Sequence, residues 1–141
     1  MILLDTNVLS ELMRPVPSAA VESWMSGQPV AGIFISAITE AELRYGLALL
    51  PDGQRQRRLV AQAEAMLAED FAGRVLPFDS PAAAAYARIA ATRRLSGRPI
   101  AQADAQIAAI AASRGASLAT RNTADFVDCG IDVVDPWNDG S

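Results

Sequence analysis

Apolar residues along this chain fall into short runs bounded by polar residues, separated by longer stretches with helical spacing. The runs are Ile2–Leu4, Gly32–Ser36, Val75–Phe78, Ser117–Thr120 and Asp132–Asp135. A run of this length with polar ends suits a strand buried on both faces of a sheet. Pro77 demotes the third run to a sheet edge or a strand end. Between the runs, the spacing predicts helices from Asn7 to Met13, from a Ser18 cap through Met25, and from Ser36 to Leu50. Further helices are predicted from Gln54 to Phe71, from a Ser80 cap with Pro81 at the first helical position through Leu95, and from Ala101 to Arg114. Gly115 is a natural end for the last of these. Arg121–Phe126 reads as a turn or a one-turn helix. Strands alternating with helices predict an α/β fold, with a central, mainly parallel sheet of about five short strands flanked by helices. One domain over residues 1–141 is expected.

The stretch Ser36–Leu50 carries two glutamates on different sides. Ile38, Glu42, Tyr45 and Leu49 share one side, whereas Glu40, Leu43 and Leu47 share the other. Apolar residues on more than one side predict a well-buried helix. The spacing does not say which glutamate points inward.

Composition narrows the chemistry. The chain is 51% apolar and 20% charged, as expected of a globular fold. It contains no histidine. That excludes Ser-His-Asp and Cys-His catalysis, histidine zinc sites and imidazole bases. The single cysteine, Cys129, excludes an internal disulfide and a thiolate metal site. All 12 basic residues are arginines, whose planar forks suit phosphate and carboxylate. With a formal net charge of −4, binding a polyanion needs local basic patches rather than an attractive overall field. The N-terminal apolar run is too short to span a bilayer and has no basic residue before it, so a cytoplasmic protein without membrane contact is expected.

Catalysis would then rest on carboxylates, hydroxyls, arginines or a bound metal. Asp5 stands at the carboxyl end of the first run, where ligands bind in open α/β sheets. Asp104 lies in the first turn of its helix, on a stripe with Ile100, Ile107, Ala108 and Ala111. Asn122 and Asp125 follow the fourth run. Each has an ordinary structural reading: Asp5 as a helix cap, Glu42 as a solvated helix residue, Asp104 as a first-turn acid favoured by the helix dipole, and Asp125 as a turn residue. Together they point further. Carboxylates that converge without a cation repel one another and hold protons more tightly, whereas a hard divalent cation keeps them ionised. Oxygen-only donors suit Mg²⁺ or Mn²⁺ rather than zinc.

The residues that carry this pattern also resemble a known family. Met1–Asn7, Ser36–Gly46 with Glu40 and Glu42, Ala103–Ala109 with Asp104, Ala119–Phe126 with Asp125, and the closing Asp135–Trp137 are similar to blocks of the PIN-domain ribonucleases, in the family's order. The likeness is closest to VapC-type toxins of bacterial toxin–antitoxin pairs. It implies a PIN-like domain that cleaves RNA with Mg²⁺, or with Mn²⁺ in its place, through water activated by the metal. It implies Asp5, Glu42 and Asp104 as the principal acids and metal ligands, so that Glu42 rather than Glu40 is the inward glutamate. Thr6, Asn7 and Thr120 would support them. The fourth acidic position is shared between Asn122 and Asp125, either of which can complete the site. Relatives often carry asparagine where this chain has Asp135.

The same resemblance implies partners: an RNA substrate, a small cognate antitoxin, operator DNA reached only through the antitoxin complex, and a second copy of the chain in a homodimer. Arg93, Arg94 and Arg98, just before Asp104, and Arg121 are candidate RNA contacts, as are Arg55, Arg57 and Arg58 on the long helix. A solvated helix face is the competing reading of each arginine cluster. Helices Ser36–Leu50 and Gln54–Phe71 could form an apolar groove for the antitoxin. Two other functions fit part of the pattern. One is a PIN-like RNA-binding or regulatory module without nuclease activity. The other is a Mg²⁺-dependent small-molecule phosphatase, although such enzymes often place a second aspartate where this chain has Asn7.

Overall fold

The computed structural model describes residues 1–138. The chain runs β1 (Ile2–Leu4), α1 (Thr6–Leu12), α2 (Ala19–Ser26), a 3-10 turn at Val30–Gly32, β2 (Ile33–Ser36), α3 (Ala37–Ala48), α4 (Gln54–Glu69), β3 (Val75–Leu76), α5 (Ser80–Leu95), α6 (Gln102–Arg114), β4 (Ser117–Ala119), a second 3-10 turn at Thr123–Phe126, and β5 (Val133–Val134). The strands form one sheet in the order β3-β2-β1-β4-β5, with every neighbouring pair parallel. This is the α/β arrangement expected from the alternating pattern. The strand containing Val75 takes the edge position that Pro77 predicts.

The period-two alternation of a strand explains why β1 is apolar throughout. Leu3 and Leu4 are both fully buried, but they point into different cores. Leu3 packs with Leu118 of β4 and with Ile89, Ile107 and Ile110 of α5 and α6. Leu4 packs with Val8, Val21, Ile35, Leu43 and Ala63, which come from α1, α2, β2, α3 and α4. The sheet therefore lies between two helical layers. Chain order reverses at β1, with β2 on one side and β4 on the other. The crevice above such a reversal, at the carboxyl ends of the strands, is where this class of sheet presents its ligands.

Helix ends follow local chemistry. Ser36 ends β2 and caps α3, its hydroxyl accepting from the Thr39 N–H at 3.0 Å. Gly115 ends α6 at φ 64°, the left-handed conformation that favours glycine there. Two expectations need correction. The cap of α5 is Asp79 rather than Ser80, because the Asp79 carboxylate reaches the Ala82 N–H at 3.1 Å and Ser80 and Pro81 become the first helical residues. Helix α3 is not well buried. Thr39 and Leu43 face the core, but Tyr45 and Leu49 are 67% and 66% exposed, because α3 packs through one side only.

Leu118 has no exposed surface and lies in the central part of the sheet. Leu118→Ala should lower folding stability by about 2–5 kcal/mol through lost burial and a residual cavity. Urea unfolding followed by circular dichroism measures this as a lower midpoint at unchanged slope.

Candidate functional site

The site is built outward from Asp5. Pairing of β1 with β4 brings the ends of the two strands side by side, and the Asp5 N–H donates to the Ala119 carbonyl at 2.9 Å. Asp5 then caps α1, with Oδ1 accepting from the Thr6 N–H at 2.8 Å. Its other oxygen, Oδ2, accepts from the Thr120 hydroxyl at 2.8 Å and from the Asn7 amide at 3.2 Å. The capping reading of Asp5 is met by one oxygen, and the other is held by Thr120 and Asn7 on a carboxylate that is only 5% exposed.

Thr120 and Asn7 lock this corner. The Thr120 hydroxyl is buried. Besides donating to Asp5, it accepts from Asn7 Nδ2 at 3.2 Å and from the Asn122 N–H at 3.1 Å. Asn7 Oδ1 accepts from the Arg121 N–H at 3.0 Å. One side chain on α1 therefore fixes the orientation of the chain leaving β4. Thr6 faces the other way and donates to Glu42 Oε1 at 2.6 Å. Glu40 is drawn elsewhere: it pairs with Arg44 at 2.8 Å, and Arg44 also pairs with Glu64. The two glutamates that the helical spacing left equivalent are separated by their partners.

Asp104 comes in from the first turn of α6 and is partly buried. Its carboxyl is pushed up to about 6, first by burial and then by the negative charges of Asp5, Asp125 and Glu42, with Arg93 opposing. Four acids from four parts of the chain thus act on one another through space. Asp125 is exposed in the 3-10 turn, and its N–H donates to the Asn122 carbonyl at 3.0 Å. Asn122 opens that turn without a capping bond from its side chain, which is also exposed.

The donor set fits a hard divalent cation. It is made of carboxylate oxygens, and the Asp104 carboxyl is raised by burial and by neighbouring negative charge that a bound cation would offset. Among the described residues, no three His, Cys, Asp or Glu side chains close around a single ion. A cleft of about 580 Å³ lies elsewhere, among Leu9 of α1, Met25 of α2, Met66 of α4 and Phe71 just beyond it, and includes none of the four acids. A smaller one of about 200 Å³ separates α3 from α4 near Leu47 and Val60.

The candidate arginines divide. Arg94 is exposed, Arg98 pairs with Asp128, and Arg121 lies over the Trp137 ring at 4.7 Å. Arg55 and Arg58 are exposed on α4, and Arg57 pairs with Asp52 at 3.4 Å. Arg93 differs from the exposed contact expected of it. It is only 7% exposed, and its guanidinium donates to the carbonyls of Arg98, Asp125 and Val127. The sequence did carry a signal for this: Ala82, Ala85, Ile89 and Arg93 share one face of α5 by three-and-four spacing, and all four are buried.

Comparison with known proteins converges on one family. The sequence profile of the PIN domain matches residues 2–129. The VapC ribonuclease Y4jK of Sinorhizobium fredii is 44% identical over 137 residues, which are 97% of this chain and 98% of that protein. Toxin FitB of Neisseria gonorrhoeae is 45% identical over 139 residues, 99% of this chain and 100% of that one. A solved structure of FitAB bound to an IR36 DNA fragment is similar with a TM-score of 0.92 at 43% identity, covering 98% of this chain and 96% of that one.

The raised Asp104 carboxyl sets a pH dependence for the metal-free protein. The folded state binds this proton more tightly than the unfolded chain, whose ordinary value is 3.8. The stability it contributes is complete below about 3.8 and is lost as pH rises through about 6. Asp104→Asn should therefore raise the metal-free melting temperature at pH 7.5. After discounting for solvent screening of a half-exposed group, the gain is about 1 kcal/mol, or about 3 °C. The difference from wild type should shrink toward pH 4. Thermal melts in chelator across pH 4–8 measure it, and an unchanged difference would contradict the assignment.

Proposed function

The chain belongs to the PIN-domain family, among its VapC-type toxins, and from that premise we propose that it is a Mg²⁺-dependent endoribonuclease, the toxin of a type II toxin–antitoxin pair. The observation that carries the catalytic part is the placing of Asp5 at the carboxyl end of β1 beside β4, with Asp104 close enough to feel the charges of Asp5, Asp125 and Glu42. Similarity to a protein named as a VapC ribonuclease supports RNA as the substrate. Mn²⁺ has the same preference for oxygen donors and should replace Mg²⁺.

In this reading Asp5 and Asp104 hold the cation, with Glu42 beside them. A bound divalent cation supplies positive charge that offsets the charge building on the phosphate and lowers the pKa of water. The chain's own residues do the rest. Thr120 and Asn7 aim Asp5 Oδ2, and the Thr6 hydroxyl occupies one oxygen of Glu42, which leaves the other for water. Glu42, together with Asp125 or Asn122, would orient the attacking water, and the Glu42 carboxylate would take its proton. A new bond forms from water oxygen to phosphorus and the bond from phosphorus to the 3′ oxygen breaks. The products are a 5′-phosphate and a 3′-hydroxyl, the latter receiving the proton. Arg94, Arg98 and Arg121 supply phosphate contacts near the acids, strongest at low salt.

The phosphatase reading is disfavoured by Asn7, whose amide is held between Asp5, Thr120 and the Arg121 N–H rather than offered to a substrate. Partners follow the same premise: a small antitoxin, operator DNA through the antitoxin complex, and a homodimer in the cytoplasm. The FitAB complex on DNA supports the first two.

Purified protein should cleave single-stranded RNA with Mg²⁺, lose the activity in EDTA and regain it with Mn²⁺. Asp5→Asn and Asp104→Asn should abolish cleavage while remaining folded. Thr120→Val, which frees Asp5 Oδ2, should reduce it about 10–100-fold. Cleavage that persists in EDTA, or a folded Asp5→Asn protein with full activity, would sink the proposal. Metal-dependent binding of RNA without cleavage would favour the inert module instead.

A further inference from the structure

Arg93 is a buried cation whose direct partners are neutral. Its Nε donates to the Arg98 carbonyl at 2.8 Å. Its Nη1 donates to the carbonyls of Asp125 and Val127, both at 3.0 Å, and lies 3.7 Å from Cys129 Sγ. Among the described residues, no carboxylate lies within ion-pair distance of it. Burying a guanidinium in this way is unfavourable unless something nearby supplies negative charge. Three carbonyl oxygens do so here, as the negative ends of their dipoles.

Its carbonyl partners lie on two segments that both lead to acids. Arg98 belongs to the connection between α5 and α6, shortly before Asp104. Asp125 and Val127 belong to the segment after β4. Asp104 and Asp125 repel each other, so the segments that carry them are pushed apart unless something joins them. The planar fork of arginine can bond several carbonyls at once in fixed directions. The same two segments are joined a second time on the outside, where Arg98 pairs with Asp128. Asp128 adopts φ 61°, a left-handed backbone that aspartate accepts more readily than most non-glycine residues.

We infer that Arg93 is a positioning residue: its guanidinium, hydrogen-bonded to the carbonyls of Arg98, Asp125 and Val127, clamps the segment carrying Asp125 against the connection leading to Asp104 and so holds the acid site together. It acts through the backbone and through its charge, and does not touch RNA. The inference rests on the proposed reading of Asp104 and Asp125 as parts of the cleaving site.

Arg93→Met and Arg93→Lys test it, the second keeping the charge and most of the stem while losing the fork. Each would be measured for kcat and KM on RNA over a range of salt, and for hydrogen–deuterium exchange of residues 123–130 without metal. Arg93→Met should lose about tenfold or more in kcat, with KM and the salt slope changed less than about twofold and exchange raised in that segment alone. Arg93→Lys should show a smaller loss of the same kind. Arg94→Ser, altering an exposed candidate phosphate contact, should instead raise KM and flatten the salt slope. Three results would overturn the clamp: full kcat in a folded Arg93→Met protein, a KM and salt response like that of Arg94→Ser, or exchange rising throughout the molecule in both Arg93 variants. A wild-type protein that cleaves no RNA would sink the nuclease reading instead, and the exchange pattern would still decide whether the clamp exists.

Discussion

Like charges held close together oppose the fold that holds them. Asp104 is partly buried and experiences the negative charges of Asp5, Asp125 and Glu42, and its carboxyl is pushed up to about 6 as a result. Much of the surrounding structure can be understood as resistance to that repulsion. Asp5 is fixed by the parallel β1–β4 pair and by hydrogen bonds to Thr6, Asn7 and Thr120. Glu42 is tied to the end of β1 through Thr6. A tight apolar core beneath Leu3, Leu118 and Ile107 keeps the ends of β1, β4 and α6 from relaxing apart. The site is thus less stable than its scaffold, as expected where function requires groups that do not favour one another.

The sequence carried the scaffold well because two periodicities, of two and about 3.6 residues, follow directly from burial. Buried runs marked each strand, Pro77 marked the edge, and Gly115 marked the end of α6. Local competition was harder to read. Asp79 and Ser80 are both good caps, and the longer carboxylate took the position by reaching Ala82. The burial of α3 was overestimated because apolar residues on two sides do not say how many neighbours a helix has.

At the site, the residue types were legible but their partners were not. Helical spacing could not rank Glu40 against Glu42, since the choice depends on Thr6 and Arg44 in three dimensions. Family likeness implies Glu42; in the structure Glu42 is exposed and bonded to Thr6, while the half-buried Glu40 is paired with Arg44. Arg93 was the harder case. Beside Arg94 it looks like half of a basic pair, but the turn of a helix separates neighbours by about 100° and sends them into different surroundings. Asn122 and Asp125 are both exposed, one at the cap of the short turn and the other within it, so their spacing does not rank one above the other.

The hydroxyl of Thr120 and the carboxylate of Asp5 meet across 115 positions of the chain. Parallel strands so far apart in sequence pair late, because the intervening loop must close before the contact can form. Synthesis delivers the N-terminal end first, at about 5–20 residues per second. A nascent chain therefore carries Asp5 for most of its translation without the strand that completes the corner around it. The corner around Asp5 is assembled only once Thr120 has been made, so a chain that stalls before that residue has the first acid but not its finished setting.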